Sequence, residues 1–153
     1  MRTHHKIGLV VAVIVLLLLA LLLPRKGHAD QGAEFGDVVV RYSALSTEQL
    51  DAGVARRYGI ERGAKNGLVN IAIERKAAEP GAMIAAGVSG TVADLAGHER
   101  PIRFHETRDE GGIDYLGEFA LESSGAYLFT IKVAVPGHAQ PVTVRFNRDF
   151  VLD

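Results

Sequence analysis

Beyond residue 29 the chain holds three histidines, His98, His105 and His138, and it has no cysteine anywhere. A zinc or copper ion needs ligands converging at about 2 Å, usually with one closely spaced pair. The sequence puts His98 in a corner, His105 on a strand and His138 in a later turn. Glu99, Glu106 and Met83 could add donors, but no C-x-x-C, H-x-x-x-H or Met-rich run frames them. These histidines read as solvated surface groups, and no cofactor is expected. A small copper or zinc site using His98, His105 and His138 is the alternative.

Three further stretches carry chemistry-bearing residues. Gly87-Val88-Ser89-Gly90-Thr91 resembles a nucleophile elbow, G-x-S-x-G, but its second glycine comes one residue early. Ser89 also falls inside a strand instead of at a strand–helix turn. Glycines that let another segment approach closely explain it better. Asp109-Glu110-Gly111-Gly112-Ile113-Asp114 places carboxylates around glycines without the alternating ligand spacing of a calcium loop. It reads as a charged hairpin tip. Arg56, Arg57, Arg62 and Lys65 form the one basic cluster, with Tyr58, Asn66 and Asn70 close by in sequence. Helix C-termini favour cations in any case. An anionic ligand or acidic partner surface at Arg56, Arg57, Tyr58, Arg62, Lys65 and Asn70 is the functional reading. No set of residues converges as a catalytic triad or dyad, and the chain is not expected to be an enzyme.

Most of the elements that would position these residues are strands. Phe35 to Ala44 puts Val38, Val40 and Tyr42 on one face. Ser46 to Tyr58 predicts the one helix of this part of the chain. Ser46 is its N-cap, Gln49 closes a capping box, Leu45 staples to Leu50, and Gly59 stands at C′. Leu50, Val54 and Tyr58 make its buried stripe. After Asn66-Gly67 the apolar residues alternate in runs of strand length. These are Leu68–Arg75, Met83–Asp94, Pro101–Arg108, Ile113–Leu121, Tyr127–Val135 and Val142–Leu152. Turns at Asp94–Gly97, Gly111-Gly112, Ser123–Gly125 and Pro136-Gly137 separate the later ones. Seven strands without βαβ alternation predict an all-β fold. Its form would be a two-sheet antiparallel immunoglobulin-like sandwich with one short helix.

The N-terminus differs from the rest. Arg2, His4, His5 and Lys6 precede the apolar run Ile7 to Leu23, and Pro24 to Ala29 is polar, with small residues at Gly27 and Ala29. That is the layout of a secretory signal over residues 1–29. The 17-residue run also reaches the lower limit of a spanning helix, so an anchor over residues 7–23 is the alternative. Either way residues 30–34 would be a linker and 35–153 a domain outside the cytoplasmic membrane. A membrane is a partner only if the segment stays uncleaved. The first 29 residues hold four basic residues and no acid, leaving 13 basic against 18 acidic residues, a formal charge of −5. Such a domain gains nothing from counterion release on nucleic acid. Without cysteine it can be neither a lipoprotein nor a disulfide scaffold.

The stretches "FGDVVVRYSALST", "VARRYGIERGAKNGLVNIAI", "VSGTVADLAG", "IRFHE", "YLGEF" and "YLFTIKV", in that order, resemble the exported bacterial proteins grouped as domain of unknown function 4426. The chain departs at Ser43, where Asn is expected, and at Gly63, where Ser is expected. The resemblance implies an exported immunoglobulin-like domain and carries no catalytic residue. The function expected is a non-enzymatic periplasmic module that binds a protein or envelope component through a loop end or sheet edge.

Overall fold

The computed structural model describes residues 31–76, 82–110 and 112–153; the apolar helix expected over residues 7–23 lies outside them. The described chain forms two antiparallel sheets and one short helix, the sandwich expected, with nine strands instead of seven. They are β1 (Gln31–Phe35), β2 (Val38–Ser46), β3 (Asn66–Arg75), β4 (Gly87–Ala93), β5 (Glu99–Ile102), β6 (Phe104–Asp109), β7 (Gly112–Ala120), β8 (Gly125–Ala134) and β9 (Val142–Phe150). The larger sheet has the order β1-β2-β3-β7-β6 and the smaller β5-β4-β8-β9.

Period-two alternation builds the core between the sheets. Val38 and Val40 of β2, Val69, Ile71 and Ile73 of β3, and Tyr127, Phe129, Ile131 and Val133 of β8 are all buried there. Phe119 packs edge-on to Phe129 and Phe150, with ring centroids 5.1 and 5.7 Å away. Its ring also occupies the space over Gly67, where an added Cβ would lie 2.2 Å from it. Tyr42 stacks on Phe146 at 4.4 Å, joining β2 to β9 across the sandwich.

Two differences account for the change in strand count. Gln31–Phe35, expected to lie mainly in a linker, is strand β1, paired from Gln31↔Tyr42 to Phe35↔Val38. Gly36, with φ 58°, makes a hairpin turn inside the strand expected over Phe35 to Ala44. Pro101–Arg108, expected as one strand, is divided at Arg103: β5 belongs to the smaller sheet and β6 to the larger. Ile102 and Phe104 still both reach the core, because Gly117 lacks the side chain that would collide with them. Met83, expected to begin a strand, makes only an isolated bridge to Glu74, and β4 starts at Gly87.

The helix is shorter than expected. Thr47–Gln49 is a single 3₁₀ turn, Leu50 is extended, and α1 spans Ala52–Tyr58. Ser46 makes no capping bond; Asp51 accepts from the N–H groups of Gly53 at 2.8 Å and Val54 at 3.1 Å. Tertiary bonding decides this. The fully buried Thr47 hydroxyl donates to the Glu61 carbonyl at 2.9 Å and accepts from Gly63 N–H at 3.0 Å. The buried stripe also differs from that expected: Val54 is exposed and Ala55 buried. The C-terminus is as expected: Gly59 has φ 67°, and its N–H and that of Ile60 reach back to Arg56 and Ala55 in a Schellman motif.

Candidate functional site

A second, smaller core lies on the outer face of the larger sheet. Ala55 and Ile60 from the helix segment pack on Leu68 of β3 and Leu116 of β7, flanked by Leu45, Leu50 and Tyr58. Beyond this cover the same face turns polar. Ser43, Asn70 and Leu116 are neighbours across β2, β3 and β7, and Asp114 lies two residues along β7. A groove of about 190 Å³ runs between the apolar wall and this polar floor, with Thr107 of β6 also lining it. A second hollow of about 90 Å³ adjoins it through Ser43, Asn70 and Asp114 and is bounded by Arg41 and Met83.

Asn70 is the centre of the floor. Its Nδ2 donates to Asp114 Oδ1 at 3.0 Å, which fixes the orientation of the amide. Its Oδ1 is buried and has no donor. Thr107 donates to the Asp114 carbonyl at 3.3 Å. At the rim Tyr58 donates its phenol to Asp109. That hydrogen bond, then burial and the carboxylate charge, raise the phenol above its ordinary pKa, while the Arg57 guanidinium opposes the shift. Tyr58 is therefore a neutral donor at physiological pH, not a base.

The basic residues are spread along the end of α1 and the loop after it. Arg57 is at the rim beside Tyr58, Arg56 is exposed in the last turn of α1, and Lys65 is exposed in the loop before β3. Arg62 donates to the Glu48 carbonyl at 2.8 Å. Of the residues the sequence singled out, Tyr58 and Asn70 share the groove. Ser43, noted only as a departure from a pattern, lies in its floor. Asp114 comes from the stretch read as a charged hairpin tip and Thr107 from the strand expected over Pro101–Arg108, and both were missed. One signal was available: Leu68 and Leu116 put apolar residues on the outer faces of strands whose inner faces are already apolar, which marks a covered face.

The histidines stay apart. His98 Nδ1 lies 3.0 Å from Asp94 in the β4–β5 turn. His138 Nε2 is 2.7 Å from Asp37, and His105 is exposed on β6 opposite Leu116. Among the described residues no group of three or more His, Cys, Asp or Glu is arranged to hold a metal ion. Ser89 lies mid-strand in β4 opposite Lys132, and Gly90 gives room to the Thr130 carbonyl and Ile131.

The family model described as domain of unknown function (DUF4426) matches residues 32–153. The chain belongs to DUF4426. No functionally curated protein matches it. A crystal structure of a DUF4426 family protein from Pseudomonas aeruginosa PAO1 is 29% identical, with a TM-score of 0.70 over 83% of this chain and 98% of that one. FetP of uropathogenic Escherichia coli shares the fold at 13% identity and a TM-score of 0.57, over 80% of this chain and 94% of FetP. A copper-bound FetP variant gives 14% and 0.56, over 80% and 95%. At that identity the FetP likeness is one of fold.

Proposed function

We propose that this DUF4426 chain is an exported, non-enzymatic binding module of the periplasm, and that the outer-face groove receives an anchor side chain of a protein partner. The observation that carries the reading is Asn70 Oδ1, a buried acceptor without a donor where an apolar wall meets a polar floor. Leaving such an atom unpaired costs roughly 1–3 kcal/mol, and a ligand N–H that displaces the side chains covering it would remove that cost. Size selects the class of occupant. The groove and adjoining hollow, about 190 and 90 Å³, are small beside ligand pockets of roughly 300–1,000 Å³. They suit one long side chain of a larger partner. An apolar stem along Leu45, Leu68 and Leu116 with a cationic N–H head at Asn70 and Asp114 matches both halves, as lysine and arginine do.

The test uses n-butylammonium, a lysine side-chain mimic, titrated into the ¹⁵N-labelled protein. Saturable shifts at Leu68, Asn70, Asp114 and Leu116, lost in Asn70→Leu and in Asp114→Asn, are expected. Shifts elsewhere, or shifts that survive both substitutions, overturn the reading. Export is supported by the layout of residues 1–29, because cleavage after Ala29 leaves Asp30 ahead of β1. N-terminal sequencing of the mature protein should begin at Asp30. The uncleaved alternative is an anchor over residues 7–23.

A further inference from the structure

We propose that the hollow at the open flank between β2 and β9 binds the C-terminal residue of a partner polypeptide, with the carboxylate on Arg148 and an aliphatic side chain on Leu45, Phe150 and Val151. The site is separate from the Asn70 groove. The two share only Leu45, and they ask for ligands of opposite charge.

Alternation along β9 sets the guanidinium in place. Val144, Phe146 and Phe150 face the core, and Arg148 stands in the same series between Phe146 and Phe150. Its partner on β8, Tyr127, is buried, and the stack of Phe146 on Tyr42 closes the sandwich on one side of it. The Arg148 side chain therefore lies in the gap between the sheets, half-buried. Among the described residues it has neither a hydrogen bond nor an ion pair. Two spaces adjoin it. The one shared with Tyr42, Ala44 and Phe146 holds about 20 Å³, room for about one water. The other holds about 180 Å³ and is lined by Leu45, Ser46, Gln49, Phe150 and Val151. Asp149 also borders it, but its side chain belongs to the solvent face of β9.

The hollow is built on fixed backbone. Thr47 bonds Glu61 and Gly63 behind the turn that carries Gln49. The Ser124 hydroxyl accepts from Leu152 N–H at 2.8 Å and donates to its carbonyl at 3.4 Å, which holds Val151 at the rim. Val151 is 81% exposed, an apolar side chain left uncovered.

The unmet groups select the ligand. A guanidinium fork matches a carboxylate with two parallel hydrogen bonds. Ser46 Oγ, buried in the wall without a partner, supplies a further donor once a covering side chain moves aside. Gln49 is exposed and offers its amide to a main-chain amide of the ligand. The walls ask for an aliphatic group beside the carboxylate. A chain-terminal leucine, isoleucine or valine carries both on one carbon, whereas an internal aspartate or glutamate would lay polar main chain against Phe150 and Val151. At about 180 Å³, against roughly 300–1,000 Å³ for whole-ligand pockets, the hollow takes the end of a molecule.

N-acetyl-leucine titrated into the ¹⁵N-labelled protein tests this. Saturable shifts at Ser46, Gln49, Arg148 and Val151 are expected, and N-acetyl-leucinamide, which lacks the carboxylate, should give none. Arg148→Lys keeps an inward charge, enough to guard a sheet edge, but loses the fork, and should weaken binding about tenfold. Arg148→Gln should abolish the shifts, and unchanged circular dichroism would show that both variants fold. Isocaproate has the same aliphatic group and carboxylate without the amide, so it should bind several-fold more weakly, and Gln49→Ala should remove that difference. Equal affinity for N-acetyl-leucinamide, or affinity unchanged in both Arg148 variants, would overturn the proposal. Isocaproate binding the native protein as tightly as N-acetyl-leucine would also overturn it, in favour of a free aliphatic acid.

Discussion

Replacing Asn70 with leucine tests whether the groove floor is built for stability or for a ligand. The substitution removes the hydrogen bond from Nδ2 to Asp114, 3.0 Å long. Hydrogen bonds to a charged group contribute about 1.5–3 kcal/mol, and the lower end applies because Asp114 is only half-buried and water can replace the donor. The substitution also removes the buried, donorless Oδ1, whose desolvation costs about 1–3 kcal/mol. Finally it places methyl groups beside Leu68 and Leu116, both nearly buried. Partial burial of that surface gains about 1 kcal/mol. The sum favours the variant by about 1 kcal/mol, equivalent to a rise of roughly 4 °C in Tm. Urea unfolding followed by circular dichroism measures it, with an unchanged slope confirming that the transition is comparable. A loss of more than about 1 kcal/mol would refute the reasoning. It would mean that Oδ1 is satisfied and that the floor has no vacancy to fill.

Three other outcomes follow from single contacts. The Tyr127 hydroxyl accepts from the N–H groups of Glu122 at 3.1 Å and Ser123 at 3.2 Å, and donates to the Ser123 carbonyl at 3.0 Å. Tyr127→Phe should therefore cost about 2 kcal/mol in urea unfolding; a change near zero would show that water replaces the hydroxyl. Acid should destabilise the fold. The carboxyls of Glu34 (bonded to Lys76), Asp37 (bonded to His138), Asp94 (bonded to the His98 N–H) and Glu106 (bonded to Arg108) are all held below their ordinary values of 4.5 for Glu and 3.8 for Asp. A depressed carboxyl stabilises the fold above its unfolded pKa, and that contribution is lost as pH falls through the folded one. The urea midpoint should fall below about pH 4.5, and a rise there would reverse the sign. Copper titration tests the metal-handling alternative. With His98, His105 and His138 held apart, changing all three to alanine should leave Cu(II) affinity unaltered, whereas loss of a micromolar site would favour the metal-handling reading.

What the sequence made legible was periodic or local. Tyr127, Phe129, Ile131, Val133 and Val135 all face the core because alternation of that length has one solution. Gly59 ends α1 because its left-handed conformation suits glycine. What stayed hidden depends on partners distant in sequence. Gln31 and Glu34 look like linker residues, since an edge strand needs only one half-buried face. Ser46 and Asp51 are both good caps, and the choice is made by Thr47 bonding to Glu61 and Gly63. Arg103 hides the change of sheet because Ile102 and Phe104 keep their alternation through it. In the site, Asn70 and Tyr58 were candidates on their own types. Asp114 stands 44 residues from Asn70, and nothing local connects the two.

The geometry of α1 explains why a groove exists where it does. Seven residues at about 1.5 Å each make a helix of roughly 10 Å, whereas five strands at about 4.8 Å spread the outer face over more than 20 Å. The helix can cover only part of that face. Leu68 and Leu116 lie under it; Asn70, next to Leu116 on the neighbouring strand, lines the groove at the margin of that cover. If stability alone shaped the face, the uncovered strip would carry fully solvated polar groups or the cover would extend over it. Instead the strip holds an amide whose oxygen is shut away from water and left without a donor, beside a carboxylate and next to an apolar wall. If Asn70→Leu does stabilise the fold, that result will mark a residue kept for something other than folding.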